Sequence, residues 1–403
     1  MTNLPQDWEV KKLGEIGEIV TGLTPSKNNL DFYGKDYPFF KPSDFKQGYF
    51  LENAVDNLSK LGFEKAKQLP SKTILVVCIG SLGKVALTRV IGSCNQQINA
   101  IIPHKNIIAE YIYYYCISSK FQSILFLKAP QTTLPILNKT EFSKLEIIYP
   151  KDIKEQERIV GILDESFANI DESIKILEQD LLNLDELMQS ALQKAFNPLK
   201  DEAKENYKLP QGWEWKSLYK ISNYGKTSQI KPKQLKSNDW ILELEDIEKE
   251  SGILLRKVLF QDRQSKSNKI KFSKGDILFG TLRPYLKKII IANDDGVCSS
   301  EIMPFSTDNF ITNHFIYYYL FTNFLHDKIS NLTYGSRMPR LGTKDGKSLQ
   351  IPIPPLQEQE QIASYLDELS SNVKKLKQNY QTQIKNLQEL KKSLLDKAFQ
   401  GRL

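Results

Sequence analysis

The chain has 403 residues and is poor in the residue types from which most catalytic and metal sites are built. It has three histidines (His104, His314, His326) and four cysteines (Cys78, Cys94, Cys116, Cys298), and no two cysteines show CxxC spacing. That spacing argues against a zinc site, and apolar or strand-like surroundings at three of the four point to buried, reduced thiols. Neither a nucleophile elbow nor a His-Glu-x-x-His helix is present, so no catalytic residue and no metal ligand is assigned. No apolar run approaches the ~20 residues of a membrane span, and residues 1–12 lack the basic-then-apolar pattern of a secretory signal. The expectation is a cytoplasmic protein with no membrane partner.

Proline and glycine are missing from a further stretch: neither occurs between Gly161 and Phe196. Within it, apolar residues fall at Leu163, Phe167, Ile170, Ile174, Leu177, Leu181, Leu184, Met188, Ala191 and Ala195, an unbroken alternation of four and three steps. That is a heptad seam, and it predicts a helix over residues 155–196, about 40 residues or roughly 60 Å long. A second copy follows over residues 358–399. Glu155, Gln156, Glu157, Ile159, Leu163, Asp164 and Glu165 recur as Glu358, Gln359, Glu360, Ile362, Leu366, Asp367 and Glu368, and Lys194, Ala195 and Phe196 as Lys397, Ala398 and Phe399. Each pair is 203 positions apart, so the two helices have equal length. The second seam is assigned to Leu366, Leu369, Val373, Leu376, Tyr380, Leu387, Leu390 and Leu394, weaker at Gln383 and Lys391.

The repeat extends to the globular parts. Leu4, Pro5, Gln6, Trp8, Glu9, Lys11 and Leu13 return as Leu209, Pro210, Gln211, Trp213, Glu214, Lys216 and Leu218, 205 positions on. Residues 74–79 and 276–279 read as matching short strands after turns, and residues 111–115 and 315–319 as matching aromatic helices. Trp8 and Trp213 recur after a proline turn and are assigned to packing rather than to stacking on a ligand. Counting Lys and Arg against Asp and Glu gives +4 over residues 1–152, −6 over 153–197, −1 over 198–205, +8 over 206–355 and +2 over 356–403. Basic globular parts beside an acidic first helix fit phosphate binding by the former and protein contact by the latter.

These residues together resemble the specificity subunit of Type I restriction–modification enzymes. The carriers are Leu209-Pro210-Gln211-Gly212-Trp213 with its earlier twin, and Pro354-Pro355-Leu356-Gln357-Glu358-Gln359 opening the second helix. The first helix departs from that pattern, with Asp152 and Ile153 in place of the second Pro and the Leu. The resemblance covers nearly the whole chain. It implies an α+β fold: two similar globular target-recognition domains separated by two long antiparallel coiled-coil helices, a pseudo-two-fold internal repeat. The corresponding division is domain 1 over residues 1–152, the first helix over 153–197, a linker over 198–205, domain 2 over 206–355 and the second helix over 356–403.

It also implies a non-catalytic DNA-binding subunit. Each domain would read one half of a split duplex target, and the helices, through Leu163, Ile170, Leu177, Leu184, Leu366, Val373, Tyr380 and Leu387, would form the coiled coil on which subunits assemble. The implied partners are double-stranded DNA, two adenine-N6 methyltransferase subunits and two restriction subunits. S-adenosylmethionine, ATP and magnesium would sit on those partners and not on this chain. No Asn/Asp-Pro-Pro-aromatic motif of a methyltransferase is found.

Base reading needs Arg or Lys for guanine and Asn or Gln for adenine. In the first domain the candidates are Lys84 and, in the polar stretch 93–99, Asn95, Gln96, Gln97 and Asn99; capping of a turn by those same amides is the equal alternative. In the second they are Arg283, Tyr285, Lys287, Lys288, Ser299 and Ser300, with Arg283 expected on extended backbone before Pro284 and the two lysines on phosphate. Loops before each long helix add Gln131 and Thr132, and Ser336, Arg337 and Arg340. Lys41 and Ser43 before Asp44, and Glu243 and Glu245 before Asp246, are weaker candidates.

Two other readings compete. One is a coiled-coil assembly scaffold that binds proteins only. The other is an enzyme using Gly80-Ser81-Leu82-Gly83-Lys84-Val85 as a phosphate loop, against which stand the wrong glycine spacing and Val85 in place of Ser/Thr.

Overall fold

The computed structural model describes residues 7–129, 135–196, 209–308 and 311–403. The chain forms two compact units, Met1–Glu178 with Gln381–Leu403, and Gln179–Tyr380, so the division falls inside both long helices. None of the helices described is long and apolar enough to cross a membrane.

The long helices run Ile153–Ala195 and Leu356–Ala398, 43 residues each, starting two residues earlier than the sequence pattern predicts. Asp152, where the first copy departs from the motif of the second, is an N-cap: its carboxylate accepts from the Lys154 amide at 3.0 Å, and its carbonyl from the Gln156 amide. In the second copy the Pro355 carbonyl accepts the Glu358 and Gln359 amides. The second helix ends on Gly401, at φ 67°, with the Arg402 amide donating back to the Lys397 carbonyl, a left-handed stop that glycine adopts without strain.

The helices run antiparallel. In the first unit Leu395, Ala398 and Phe399 of the second helix join Ile159, Val160 and Leu163 of the first in one core, and Lys391 pairs with Asp171. In the second unit Ala191, Leu192 and Phe196 share a core with Leu366, and Lys377 pairs with Asp185. Leu163, Ile170, Leu184, Leu366 and Val373 are buried, and Leu177, Tyr380 and Leu387 half-buried.

The assigned second seam needs correction at Leu376 and Leu390, which are 40% and 46% exposed. The true seam keeps the 203-residue offset, through Ser370, Lys377, Ile384, Lys391 and Ala398, none of them exposed. Two of those positions hold lysines, and nearby leucines one step away mimic a seam in the sequence.

In the first unit, strands Gly17–Thr21, Ile98–Pro103, Ile74–Val77, Val85–Thr88 and Phe50–Leu51 form a sheet in that order, antiparallel except at the Phe50–Leu51 edge. Side chains alternate across a strand. Ile74 and Val76 therefore enter the core shared with the aromatic helix Ala109–Ile117 and the long helices, while Leu75 and Val77 enter a second core with Phe40, Leu51 and Ile98. Strand Trp8–Lys12 pairs with Glu146–Pro150, which leads directly into the first long helix.

The second unit repeats this plan. Strand Glu214–Ser217 pairs with Gln350–Ile353 before the second long helix, and Ile277–Gly280 lies between Ile289–Ile291 and Ile302–Phe305. Ile277 and Phe279 face the core holding helix Asn313–Tyr319, and Leu278 faces a second core with Trp240 and Leu242. Trp213 is buried there and its indole N–H donates to Glu358, 3.1 Å away, a packing role as its recurrence predicts. All four cysteines are free and buried, and burial pushes the Cys78 and Cys94 thiols up to about 12.

Candidate nucleic-acid interface

The Gly80–Lys84 segment is a tight turn between antiparallel strands Ile74–Val77 and Val85–Thr88. Gly80 and Gly83 take φ values of 79° and 86°, and the Gly83 amide donates to the Val77 carbonyl. A phosphate loop needs a helix N-terminus behind it; here a strand follows. Lys84 is exposed and opens on a groove of about 1160 Å³ that Lys46, Arg89 and Lys392 also line.

The polar stretch 93–99 divides between its two alternatives. Asn99 is 2% exposed: its Oδ1 accepts from the Thr21 hydroxyl at 2.6 Å and its Nδ2 donates to the Leu137 carbonyl. Asn95, also buried, accepts from the Gln97 amide and donates to the Gln97 side chain. Asn95 thus caps the turn, and Asn99, on strand Ile98–Pro103, ties Thr21 to Leu137. Gln96 is exposed and accepts from the Thr24 hydroxyl, and Gln97 is half-buried. Gln131 and Thr132 lie outside the described residues.

In the second unit three loops converge. The Arg283 amide donates to the Pro339 carbonyl (2.7 Å), the Leu341 amide to the Thr281 carbonyl (2.9 Å) and the Thr281 amide to the Glu301 carbonyl (2.8 Å). Arg283 is not extended as expected: at φ 50° and ψ 58° it is left-handed, as is Lys287 at φ 45°, and the two bracket a single 3-10 turn, Pro284–Leu286. Left-handed non-glycine residues cost of order 1–3 kcal/mol and persist where surrounding bonds over-determine them, often at binding surfaces. Tyr285, on this strained turn, is 50% exposed, and the Arg283 Nε is buried without an acceptor.

Beside it, strands Thr333–Tyr334 and Arg340–Leu341 form a hairpin whose connection exposes Ser336, Arg337 and Met338. Arg340 is half-buried and lies 3.6 Å from Glu301.

Lys287 is corrected. The Lys287 ammonium is turned inward, donating to the Phe321 carbonyl (2.9 Å) and to Asn323 Oδ1 (2.6 Å), and burial lowers its pKa. Lys288 donates to the Leu244 carbonyl at 2.7 Å. Ser299 is buried and Ser300 exposed.

Glu245 and Asp246 are bound by Arg256 and Arg263; burial pushes the Asp246 carboxyl up, but the two guanidiniums outweigh it and hold it below its ordinary value. Among the described residues, no three His, Cys, Asp or Glu side chains group as a metal site. Sequence reasoning left Tyr334 and Met338 out of the candidate set, although the hairpin's Tyr-Gly and Met-Pro steps contain them.

On these converging loops the second unit thus presents the exposed Arg337 guanidinium and the exposed rings of Tyr285 and Tyr334 on backbone-tied segments, a set suited to base edges and sugar–phosphate. The family model described as the Type I restriction modification DNA specificity domain matches residues 5–182 and again 210–386. The HindI specificity subunit of Haemophilus influenzae is 39% identical over 189 residues, which span 44% of this chain and 40% of that one. The EcoDI specificity subunit of Escherichia coli is 23% identical over 99% of this chain and 89% of its own length. Among solved structures, a chain from a study of complex assembly and conformational transition in the type I R-M system superposes with a TM-score of 0.78 at 20% identity, covering 100% of both chains. The HsdS subunit from Thermoanaerobacter tengcongensis gives 0.57 at 19%, covering 99% of this chain and 98% of that one.

Proposed function

From the premise that this chain belongs to the family of Type I restriction–modification DNA specificity subunits, the non-catalytic members of those enzymes, we propose that it selects a split duplex target, one half-site to each globular unit. The observation that carries this reading is the duplication itself: two units of one plan, each built onto helices of 43 residues. Two related but unequal surfaces imply two unequal half-sites. A helix of that length is ~65 Å at ~1.5 Å per residue, and several unread base pairs at ~3.4 Å occupy only part of it.

On the same reading the long helices dock two adenine-N6 methyltransferase subunits, and two restriction subunits join the assembly. S-adenosylmethionine, ATP and magnesium then belong to those partners. Exposed apolar side chains on the helices, Ile176, Leu182 and Leu187 on the first and Tyr365, Leu376 and Leu390 on the second, support docking of protein there.

The test is to replace residues 206–355 with the corresponding part of another specificity subunit and map adenine methylation across a genome. One half-site changes and the other stays. Change of both half-sites, or methylation without a split motif, overturns the reading in favour of a protein-only scaffold.

A further inference from the structure

Both units join their globular part to a long helix with the same buried polar device. Gln156, in the first turn of the first long helix, has no exposed surface. Its Oε1 accepts from the Ile108 amide (3.0 Å), and its Nε2 donates to the carbonyls of Pro150 (2.9 Å) and Asn106 (3.3 Å). One amide thus ties the strand that enters the helix to the loop before the aromatic helix.

In the second unit Gln359, 1% exposed, accepts from the Thr312 amide (3.1 Å) and donates to the Pro354 carbonyl (2.9 Å). Eight residues further along each helix a second bond repeats. Tyr114 donates to Asp164 over 2.5 Å, and Tyr318 donates to Asp367 over 2.8 Å.

Packing does not require these groups. Burying apolar surface stabilises without fixing direction, whereas a hydrogen bond weakens steeply once its angle departs from line. Folding exchanges water partners for protein ones, so these bonds add little net stability beside the cores, and what the set supplies is a fixed angle between domain and helix. The angle matters through leverage. For a domain of this size, with a radius of gyration near 15 Å, a surface point about 20 Å from the joint moves by ~3.5 Å on a rotation of about 10°, close to one base-pair step.

We infer that Gln156 with Tyr114–Asp164, and Gln359 with Tyr318–Asp367, are positioning residues that set the number of base pairs between the half-sites. This rests on the split-target reading above.

The experiment uses the full chain co-expressed with its methyltransferase partner, assayed on duplexes that keep both half-sites and vary the gap by single base pairs. Wild type methylates one gap. Gln156→Met, similar in shape but without the amide, and Tyr114→Phe, which removes one oxygen, raise methylation at gaps one longer or shorter by about tenfold relative to the original gap, with half-site sequence unchanged. Asp164→Asn keeps an acceptor and keeps the single gap.

An equal loss at every gap, undiminished discrimination, loosening in Asp164→Asn as well, or unfolding of both joint variants each overturns the inference. Absence of any split motif in the wild-type protein is a different failure, that of the functional reading itself.

Discussion

Phe399 stands edge-on to Tyr115, with ring centroids 5.1 Å apart, and to Tyr111 at 5.4 Å. Its repeat counterpart Phe196 meets Phe315 and Tyr319, both at 5.5 Å. Each aromatic helix therefore receives its closing phenylalanine from the long helix of the other repeat. Neither half of the sequence completes its own core.

Phe399→Ala tests this exchange. Truncating a buried phenylalanine typically costs about 3–5 kcal/mol, more than any single hydrogen bond at the joint. Amide hydrogen exchange is expected to accelerate across Ala109–Ile117 and Ser119–Lys128 while Asn313–Tyr319 keeps its protection. Phe196→Ala should produce the mirror result, and loss of protection in both regions from either change would contradict the assignment of each ring to one unit.

The lysines in the second seam make a prediction of opposite sign. Lys391 occupies a seam position, lies over the Phe167 ring at 4.7 Å and pairs with Asp171, whose side chain is 63% exposed. A pair whose carboxylate lies in solvent contributes at most about 1 kcal/mol, while a leucine at the seam buries apolar surface worth about 1.5–3 kcal/mol. Lys391→Leu is therefore expected to raise the melting temperature by a few degrees. Such polar seam residues usually hold register at some expense of stability. A lowered melting temperature would mean that the ion pair and the cation–ring contact outweigh that burial.

These lysines also explain where sequence legibility stops. Helix length and seam were readable because the repeat and the four-three alternation are local patterns. Leu376 and Leu390 misled because an apolar residue one step from the seam satisfies the same count, and only the partner helix decides which face is covered. Lys287 misled for a related reason, and the same reason left the two readings of Asn95 and Asn99 equal. Polar residues in a loop look alike in sequence whether they point to solvent or bond inward, and the Thr21 hydroxyl and the Phe321 carbonyl that claim two of them are 78 and 34 positions away. The left-handed Arg283 depends on bonds to the hairpin 56 residues on.

His326 gives the second unit a pH dependence. Its Nε2 donates to the Leu320 carbonyl at 2.8 Å and its Nδ1 is buried without a partner. Burial first, and the Lys287 ammonium second, push its pKa from 6.5 down to about 4. The folded value lies below the unfolded one, so as pH falls the unfolded chain takes up the proton first. Stability is therefore lost between pH 6.5 and about 4, by up to about 3 kcal/mol, and this group contributes no change above pH 7. Denaturant midpoints across that range should fall in wild type and flatten in His326→Gln, which keeps a donor for Leu320. A parallel fall in the variant would assign the slope to other groups.

Arg337 separates base reading from phosphate contact on the hairpin. It is exposed on the connection between Thr333–Tyr334 and Arg340–Leu341, beside Met338 at 56% exposure. Arg340, by contrast, shares Glu301 at 3.6 Å and is partly committed to holding the loops together. If Arg337 reads a guanine edge, Arg337→Ala should cost about 1–3 kcal/mol on the cognate half-site, relax selectivity at one position and leave the other half-site untouched. A phosphate contact would instead weaken every sequence alike and reduce the salt slope by about one. Binding of the variant complex to duplexes mutated one base pair at a time, at two salt concentrations, distinguishes the two. Arg340→Ala is expected to differ from both, lowering thermal stability slightly as well as affinity, because it removes the ion pair with Glu301 while the backbone bond from Arg283 to Pro339 stays.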